Sequence, residues 1–383
     1  MDVVRVGIVG VGGMGGSHSR LFVDGKIKRG ELKAVCDINP KAMESFGDDI
    51  VKFDSSDALL ASGLVDAVVV ATPHYAHTTI GKAVLDAGLH LLVEKPISVH
   101  KADCERLIAA HTNEKQVFAA MFNQRTDPHY KAVKKLITSG ELGEIKRVNW
   151  IITDWFRTQS YYDRGGWRAT WSGEGGGVLL NQCPHQLDLL QWLCGKPTKI
   201  RAFCHIAKHH HIEVEDDVTA YLEWANGAHG VFVTTTGEAP GTNRLEVCGD
   251  RGKVVVEGGS VKFTRTEEPV AEWCAACERP FQKPPVWNVD IPVKGSGGQH
   301  CEVLQNFVDA ILDGKELIAP AAEGINSVET GNAMLLSALT EQTVELPIDA
   351  AVYEEKLKHL IETSTFEKKT VEVEGDVDMS GSF

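Results

Sequence analysis

The sequence predicts an α/β protein in two parts: a doubly wound parallel sheet, then an α+β unit built on a large, mostly antiparallel open sheet. Three observations carry this expectation. From Val3 to Phe122, short β-branched runs alternate with helix-length segments. A glycine-rich turn, Gly10-Val11-Gly12-Gly13-Met14-Gly15, directly follows the first run. Beyond Gly140 the runs lengthen and are separated by turns instead of crossover helices.

The first-half strands are expected at Val4 to Val9, Leu32 to Cys36, Val51 to Phe53, Ala67 to Ala71, Leu89 to Val93 and Val117 to Met121. Between them, Thr78 to Ala87 sets Ile80, Ala83, Val84 and Ala87 on one helical face, and Lys101 to His111 is a second helix. A bridging helix over Pro128 to Ser139 stops at Gly140. Strands then follow at Lys146 to Trp155, Lys199 to Ile206, Val218 to Trp224, His229 to Thr236, Arg244 to Cys248, Lys253 to Glu257 and Val261 to Thr266, with one helix inserted near Cys183 to Leu193. Asn226-Gly227 is a hairpin signal, because both residue types tolerate positive φ. Helical patterns return at Cys301 to Leu312 and Ala322 to Gln342, and the charged tail ends in an acidic Gly/Ser stretch expected to fray. The division expected is 1–123, 124–350 and a helical, partly frayed tail at 351–383.

Composition sets outer bounds. The 383 residues are 43% hydrophobic and 24% charged, as in ordinary folded proteins, and the length suits one large domain or two medium ones. A formal charge of −14 disfavours phosphate-covering surfaces, so nucleic acid is not an expected partner. Without an apolar run long enough for a membrane span or a signal-peptide layout, a soluble, cytoplasmic protein is expected. The nine cysteines are scattered and odd in number, which reads as free thiols. Cys274-x-x-Cys277 has metal-ligand spacing but no second pair nearby, so no metal is expected.

The glycine turn lies between a strand and a helix, the context in which G-x-G-x-x-G binds a dinucleotide. Gly10 permits the tight turn, Gly12 a close backbone approach to a pyrophosphate, and Gly15 close helix–strand packing. Gly13 and Met14 fall in the first helical turn, whose N–H groups suit an anion. Asp37 ends the second strand, where its carboxylate can accept hydrogen bonds from a ribose diol. It would repel a 2′-phosphate, and Ile38 and Asn39 supply no arginine to offset this, so the expected cofactor is NAD.

Two further segments carry candidate chemistry. Glu94-Lys95-Pro96 follows the fifth strand at a carboxyl end of the sheet, where Lys95 can donate to a substrate hydroxyl or, alternatively, sit solvated beside Glu94. In Gly175-Gly176-Gly177 through Asp188, Asn181 is a plausible N-cap before Pro184, and His185 falls in the first turn. Its imidazole can take a carbinol proton or be a hydrogen-bonded, partly buried histidine. Asp188 can orient that ring or lie on the helix surface. Between these segments, Trp155, Phe156, Tyr161, Tyr162, Trp167 and Trp171 cluster with Arg157, Arg164 and Arg168. This suits a polyol pocket using Trp155, Arg157, Tyr162, Trp167 and Arg168, or equally a subunit interface.

Gly10-x-Gly12-x-x-Gly15-x-x-His18, Ala71-Thr72-Pro73 with His77, Glu94-Lys95-Pro96, Gly140-x-x-Gly143, and the triple glycine followed by His185 and Asp188 occur in this order. With these motifs the chain resembles the Gfo/Idh/MocA family, the glucose-fructose oxidoreductase and inositol dehydrogenase group, over about residues 3–345. The resemblance implies an N-terminal Rossmann domain and a C-terminal domain whose open sheet forms a dimer face, hence a homo-oligomer, dimer or tetramer. It also implies that Thr72, Pro73, His77, Glu94 and Lys95 help hold NAD. Lys95, before a cis proline, is the implied catalytic lysine, and His185 the proton acceptor. Many family dehydrogenases carry aspartate four residues before that histidine. Here Asn181 stands there, and an amide can orient substrate or histidine but cannot share a proton.

The expected activity is NAD-dependent oxidation of a secondary hydroxyl on a pyranose sugar or glycoside, at C3 by family analogy. His185 would remove the hydroxyl proton and Lys95 would stabilise the alkoxide. The alternatives are an inositol or cyclitol dehydrogenase, an enzyme that keeps NAD bound through hydrolysis or epimerisation, and a non-catalytic sugar-sensing protein with the same fold.

Overall fold

The computed structural model describes residues 2–371. The first sheet is built from β1 (Val4–Val9), α1 (Gly13–Val23), β2 (Gly30–Cys36), β3 (Val51–Phe53), α2 (Ser56–Ala61), β4 (Ala67–Val70), α3 (His74–Asp86), β5 (His90–Val93), α4 (Lys101–Ala110) and β6 (Phe118–Ala120). All its pairings are parallel, in the order β3-β2-β1-β4-β5-β6. Because helices cover both faces, its central strands are continuous apolar runs, and every residue of β4 is buried. The strand order reverses between β1 and β4, so the Gly10 turn and Thr72 lie on either side of the switch-point crevice.

The second unit contains α5 (Pro128–Thr138), β7 (Ile145–Ile152), α6 (Gln159–Asp163), α7 (Pro184–Cys194), β8 (Lys199–Ile206), β9 (Glu215–Glu223), β10 (His229–Thr235), β11 (Asn243–Gly249), β12 (Gly252–Glu257) and β13 (Ser260–Thr266). After these come α8 (Val270–Ala276), β14 (Val286–Ile291), α9 (Gln299–Asp313), α10 (Gly324–Thr340), β15 (Val344–Glu345) and α11 (Ala350–Thr363). Nine strands form one sheet, β14-β13-β12-β11-β7-β10-β9-β8-β15, antiparallel except where β10 meets β7. Its inner face buries Trp150, Val218, Ala220, Phe232 and Leu245, and α10 packs on β8 and α7. Its outer face leaves Ile151, Phe203, Tyr221 and Val231 exposed.

Several boundaries differ from the sequence expectations for local reasons. β7 stops at Ile152, before the expected Trp155, where Thr153 turns its N–H to the Thr242 carbonyl. In the hairpin between β9 and β10 only Gly227 takes positive φ, 83°. Asn226 instead caps the turn by accepting from the Ala228 N–H at 3.1 Å. The short elements α6, α8, β14 and β15 lack a strong apolar period and were not expected. Placing 299–313 in the second unit separates α9 from its packing partners, since Val303, Leu304, Phe307 and Val308 join the core around Val4, Val6 and Ile8. After α11, residues 364–371 run extended. The acidic end expected to fray, 372–383, falls outside the described residues.

A buried ion pair ties the connection between β6 and α5 to α7. Arg125, 2% exposed, forks onto Asp188 of α7 through Nε (2.7 Å) and Nη2 (2.6 Å), and Nη1 reaches Glu323 at 2.6 Å. Asp188 is therefore neither a surface residue nor an orienter of His185, the two roles open to it from sequence. Removing one partner strands the other charge in the core, so Asp188→Ala should cost about 3–5 kcal/mol in urea unfolding followed by tryptophan fluorescence. Arg125→Met combined with Asp188→Leu should recover most of that loss.

Candidate active site

The dinucleotide turn is shaped by close backbone packing. A Cβ on Gly15 would lie 1.8 Å from the Gly10 carbonyl oxygen, so only glycine lets α1 sit this close to β1. A Cβ on Gly12 would meet nothing within 4 Å, so it would fill an open cradle instead. No side chain caps α1, and its first-turn N–H groups, from Gly13 and Met14 onward, are left for an anion. Asp37 accepts from the Val11 N–H at 2.9 Å and the Asn39 N–H at 2.8 Å, which holds the turn and leaves carboxylate lone pairs for a diol. Across the crevice, the Thr72 hydroxyl is buried with no partner, and Pro73 leads into α3. The cradle, the bare helix start and the orphaned hydroxyl together fit a dinucleotide.

The chemistry converges one strand further on. The Lys95-Pro96 peptide is cis, and the Lys95 ammonium donates to the Asn181 carbonyl at 3.0 Å. Burial lowers the Lys95 pKa; Glu94 and Glu174 oppose this, while Arg168 and Arg157 reinforce it. Glu94 is buried, and its carboxylate meets His18 Nε2 at 2.6 Å and accepts the Lys95 N–H at 3.0 Å. Burial would raise its pKa, but the His18 hydrogen bond and charges hold it at about 2.

His185 opens α7, and burial, then the Lys95 charge, pushes its pKa well below 6.5, so the ring is neutral at neutral pH. Its Nδ1 is sealed from solvent without a partner, which leaves Nε2 as the nitrogen a ligand can reach. Lys95 and His185 thus meet electrostatically, one from each unit. The Asn181 amide donates to Glu174, and its Oδ1 faces the Tyr161 hydroxyl at 3.4 Å. Tyr161 in turn accepts from Arg168 at 2.9 Å and from Gln182 at 3.2 Å. The aromatic segment therefore borders the same crevice.

Two sequence profiles match this chain: "Oxidoreductase family, NAD-binding Rossmann fold" over residues 4–122, and "GFO/IDH/MocA C-terminal domain" over residues 130–255. The chain belongs to the Gfo/Idh/MocA family. This Gfo/Idh/MocA member is 25% identical to an inositol 2-dehydrogenase from Rhizobium meliloti (strain 1021), over 90% of this chain and 99% of that one. A levoglucosan dehydrogenase from Pseudarthrobacter phenanthrenivorans is 24% identical over 91% and 99% of the two chains. Among solved structures, the WlbA dehydrogenase from Bordetella pertussis in complex with NADH and UDP-GlcNAcA superposes with a TM-score of 0.75 at 27% identity, covering 91% of this chain and 100% of the other. The protein is an NAD-binding oxidoreductase that acts on hydroxyl groups.

Within this oxidoreductase, some expected site residues have other work. Tyr162 is core: it is 3% exposed and its hydroxyl donates to Thr236 Oγ1 at 2.7 Å, so it cannot line the pocket. His77 turns both ring nitrogens to backbone carbonyls, Pro96 at 2.8 Å and Thr72 at 2.7 Å. It braces the Lys95-Pro96 turn and has no ring nitrogen left for a cofactor. Glu94 likewise spends its carboxylate inside the protein. Trp155 and Trp167 are half-buried beneath Arg157 and Arg168. Cys274 is exposed on α8 and, among the described residues, belongs to no grouping of potential metal ligands. Such a grouping does form at His100, Asp103 and Glu354, where Arg106 already pairs with both carboxylates at 2.6 and 2.7 Å.

Sequence reasoning missed Glu174, Glu215 and Lys368. Glu174 immediately precedes the triple glycine, and a carboxylate beside so sharp a turn was the available signal. Lys368 comes from the extended segment and donates to the carbonyls of Tyr162 and Arg168, a contact with no sequence signature. Glu215 accepts from the Gly177 N–H at 2.8 Å and the Leu179 N–H at 3.1 Å, holding the loop ahead of Asn181.

Burial raises Glu215 from 4.5 to about 7, against the pull of those N–H groups. The folded chain thus keeps a proton that the unfolded chain releases. The stability from this group is complete below pH 4.5 and is lost as pH rises through about 7. Glu215→Gln, which still accepts both N–H groups, should flatten that slope by on the order of a few kcal/mol in urea titrations across the window.

Proposed function

We propose that this protein oxidises a secondary hydroxyl of a pyranose or pyranoside. The observation that carries the reading is the 3.0 Å hydrogen bond from the Lys95 ammonium to the Asn181 carbonyl. It brings the lysine that follows β5 to the loop that precedes His185. NAD, when bound, supplies the hydride acceptor. His185, held neutral, takes the hydroxyl proton at Nε2. The Lys95 ammonium donates a hydrogen bond to the oxygen as it gains negative charge. Asn181, fixed by Glu174 and Tyr161, holds the substrate edge in place. Half-buried Trp155 and Trp167 offer ring faces to the C–H face of a sugar.

A cyclitol substrate is the second reading, favoured by the near full-length likeness to an inositol 2-dehydrogenase. NADH absorbance during incubation with free sugars, methyl glycosides and inositols separates the two. No NADH from any of these, with NADH still bound tightly, would favour a sensor instead. Lys95→Ala and His185→Ala should each lower kcat by about 10²–10⁴-fold while leaving the Kd for NADH within about twofold. A near-normal rate in either variant removes that residue from the chemistry. The nine free thiols suit a reducing compartment, and among the described residues no helix is long and apolar enough to cross a membrane.

The exposed row on the outer sheet face supports association of two copies of this chain. Tyr221 pairs directly with Val231 across β9 and β10, and Phe203 and Ile151 extend the same apolar surface. Light scattering should find a dimer or larger assembly that Val231→Glu converts to monomer. A monomeric native protein would overturn this reading.

A further inference from the structure

Arg157 and Arg168 are held by aromatic rings instead of by carboxylates. Arg5, Arg29, Arg106, Arg125, Arg147 and Arg244 each make an ion pair with a carboxylate at 2.6–2.8 Å. Arg157 and Arg168 make none among the described residues. Among the described residues each guanidinium makes one hydrogen bond, Arg157 Nη1 to the Phe156 carbonyl at 3.0 Å and Arg168 Nη1 to the Tyr161 hydroxyl at 2.9 Å. A guanidinium has five N–H donors, so most of both forks remains unspent.

Stacking fixes their positions. Arg157 lies 5.4 Å from the Trp155 ring and 5.2 Å from Tyr161; Arg168 lies 4.8 Å from Tyr161 and 4.5 Å from Trp167. One ring, Tyr161, therefore has both guanidinium groups against it, and both cations act on the Lys95 ammonium. Glu94 and Glu174 act on the Lys95 charge, and Glu174 also feels Arg168, but neither carboxylate forms an ion pair with Arg157 or Arg168. Glu94 meets His18, and Glu174 accepts from the Ala169 N–H at 2.6 Å and from the Asn181 amide. The two guanidinium groups, with no carboxylate paired to either, would each gain from an anion that enters with the ligand.

We propose that the substrate carries an anionic group, a carboxylate or a phosphoryl ester, which the planar forks of Arg157 and Arg168 engage. Both groups match a guanidinium fork in bidentate fashion, and stacking preorganises the two forks before ligand arrives. The inference rests on the sugar dehydrogenase reading above and narrows its substrate class. Neutral sugars would leave the forks to water and bind more weakly.

The test is calorimetric binding to the NADH-loaded full chain, with glucuronate, galacturonate and glucose 1-phosphate compared with glucose and galactose. At least one anionic sugar should bind about tenfold or more tightly than its neutral parent, the acid and phosphate arms showing which group is preferred. Arg157→Gln and Arg168→Gln should each reduce that ratio about tenfold with the Kd for NADH unchanged. Equal or weaker binding of every anionic probe, or a preference that survives both substitutions, overturns the proposal. NADH formed from neutral sugars without anionic preference sinks this inference alone. Anionic binding without NADH formation sinks only the dehydrogenase reading.

Discussion

The placement of the site depends on Arg125. It lies in the connection between the last strand of the parallel sheet and α5 and spends its fork on Asp188, one turn along α7 from His185. Its Nη1 also accepts no freedom: it donates to the Ile318 carbonyl at 3.2 Å and to Glu323, which ties in the segment before α10. Phe122 and Trp192 flank the guanidinium at 5.8 Å each. A charge this deep is tolerable only when its donors are matched, and matching them here aligns α7 with the strand ends. Lys95 and His185 belong to different units, so their separation is set at this junction.

Once they are aligned, desolvation governs the chemistry. His185 is buried and Lys95 half-buried, desolvation pushes both pKa values down, and the Lys95 charge pushes His185 down further. An ammonium and a neutral imidazole can coexist under those conditions, which divides the labour of stabilising an oxyanion and receiving a proton. Asn181 contributes no charge. The nearest carboxylate behind it, Glu174, is held by a backbone N–H and by the Asn181 amide itself.

Much of this was legible in the sequence because it depends on local pattern. Continuous apolar strands, the glycine turn and Asp37 declare a dinucleotide crevice, and Lys95 reaches the Asn181 carbonyl, four residues ahead of His185. What escaped depends on long-range contact. Tyr162 and Tyr161 are adjacent in sequence, yet one is sealed against Thr236 and the other faces Asn181, a distinction made by α6. His77 carries a family motif but serves as a brace, because its ring lands between two carbonyls. The helix at 299–313 lies far along the chain but packs beneath the first strands, so chain order misassigned it.

The extended stretch after α11 fastens the aromatic segment from outside. Lys368 caps the carbonyls of Tyr162 and Arg168, and Val371 donates to the Asp163 carbonyl at 3.0 Å. The dinucleotide turn is held from elsewhere, its hydrogen bonds running to Cys36 and Asp37 at the end of β2. Proteolytic trimming behind Thr363 would therefore uncouple two affinities that the intact polypeptide keeps together, slackening its hold on carbohydrate while sparing its grip on nucleotide.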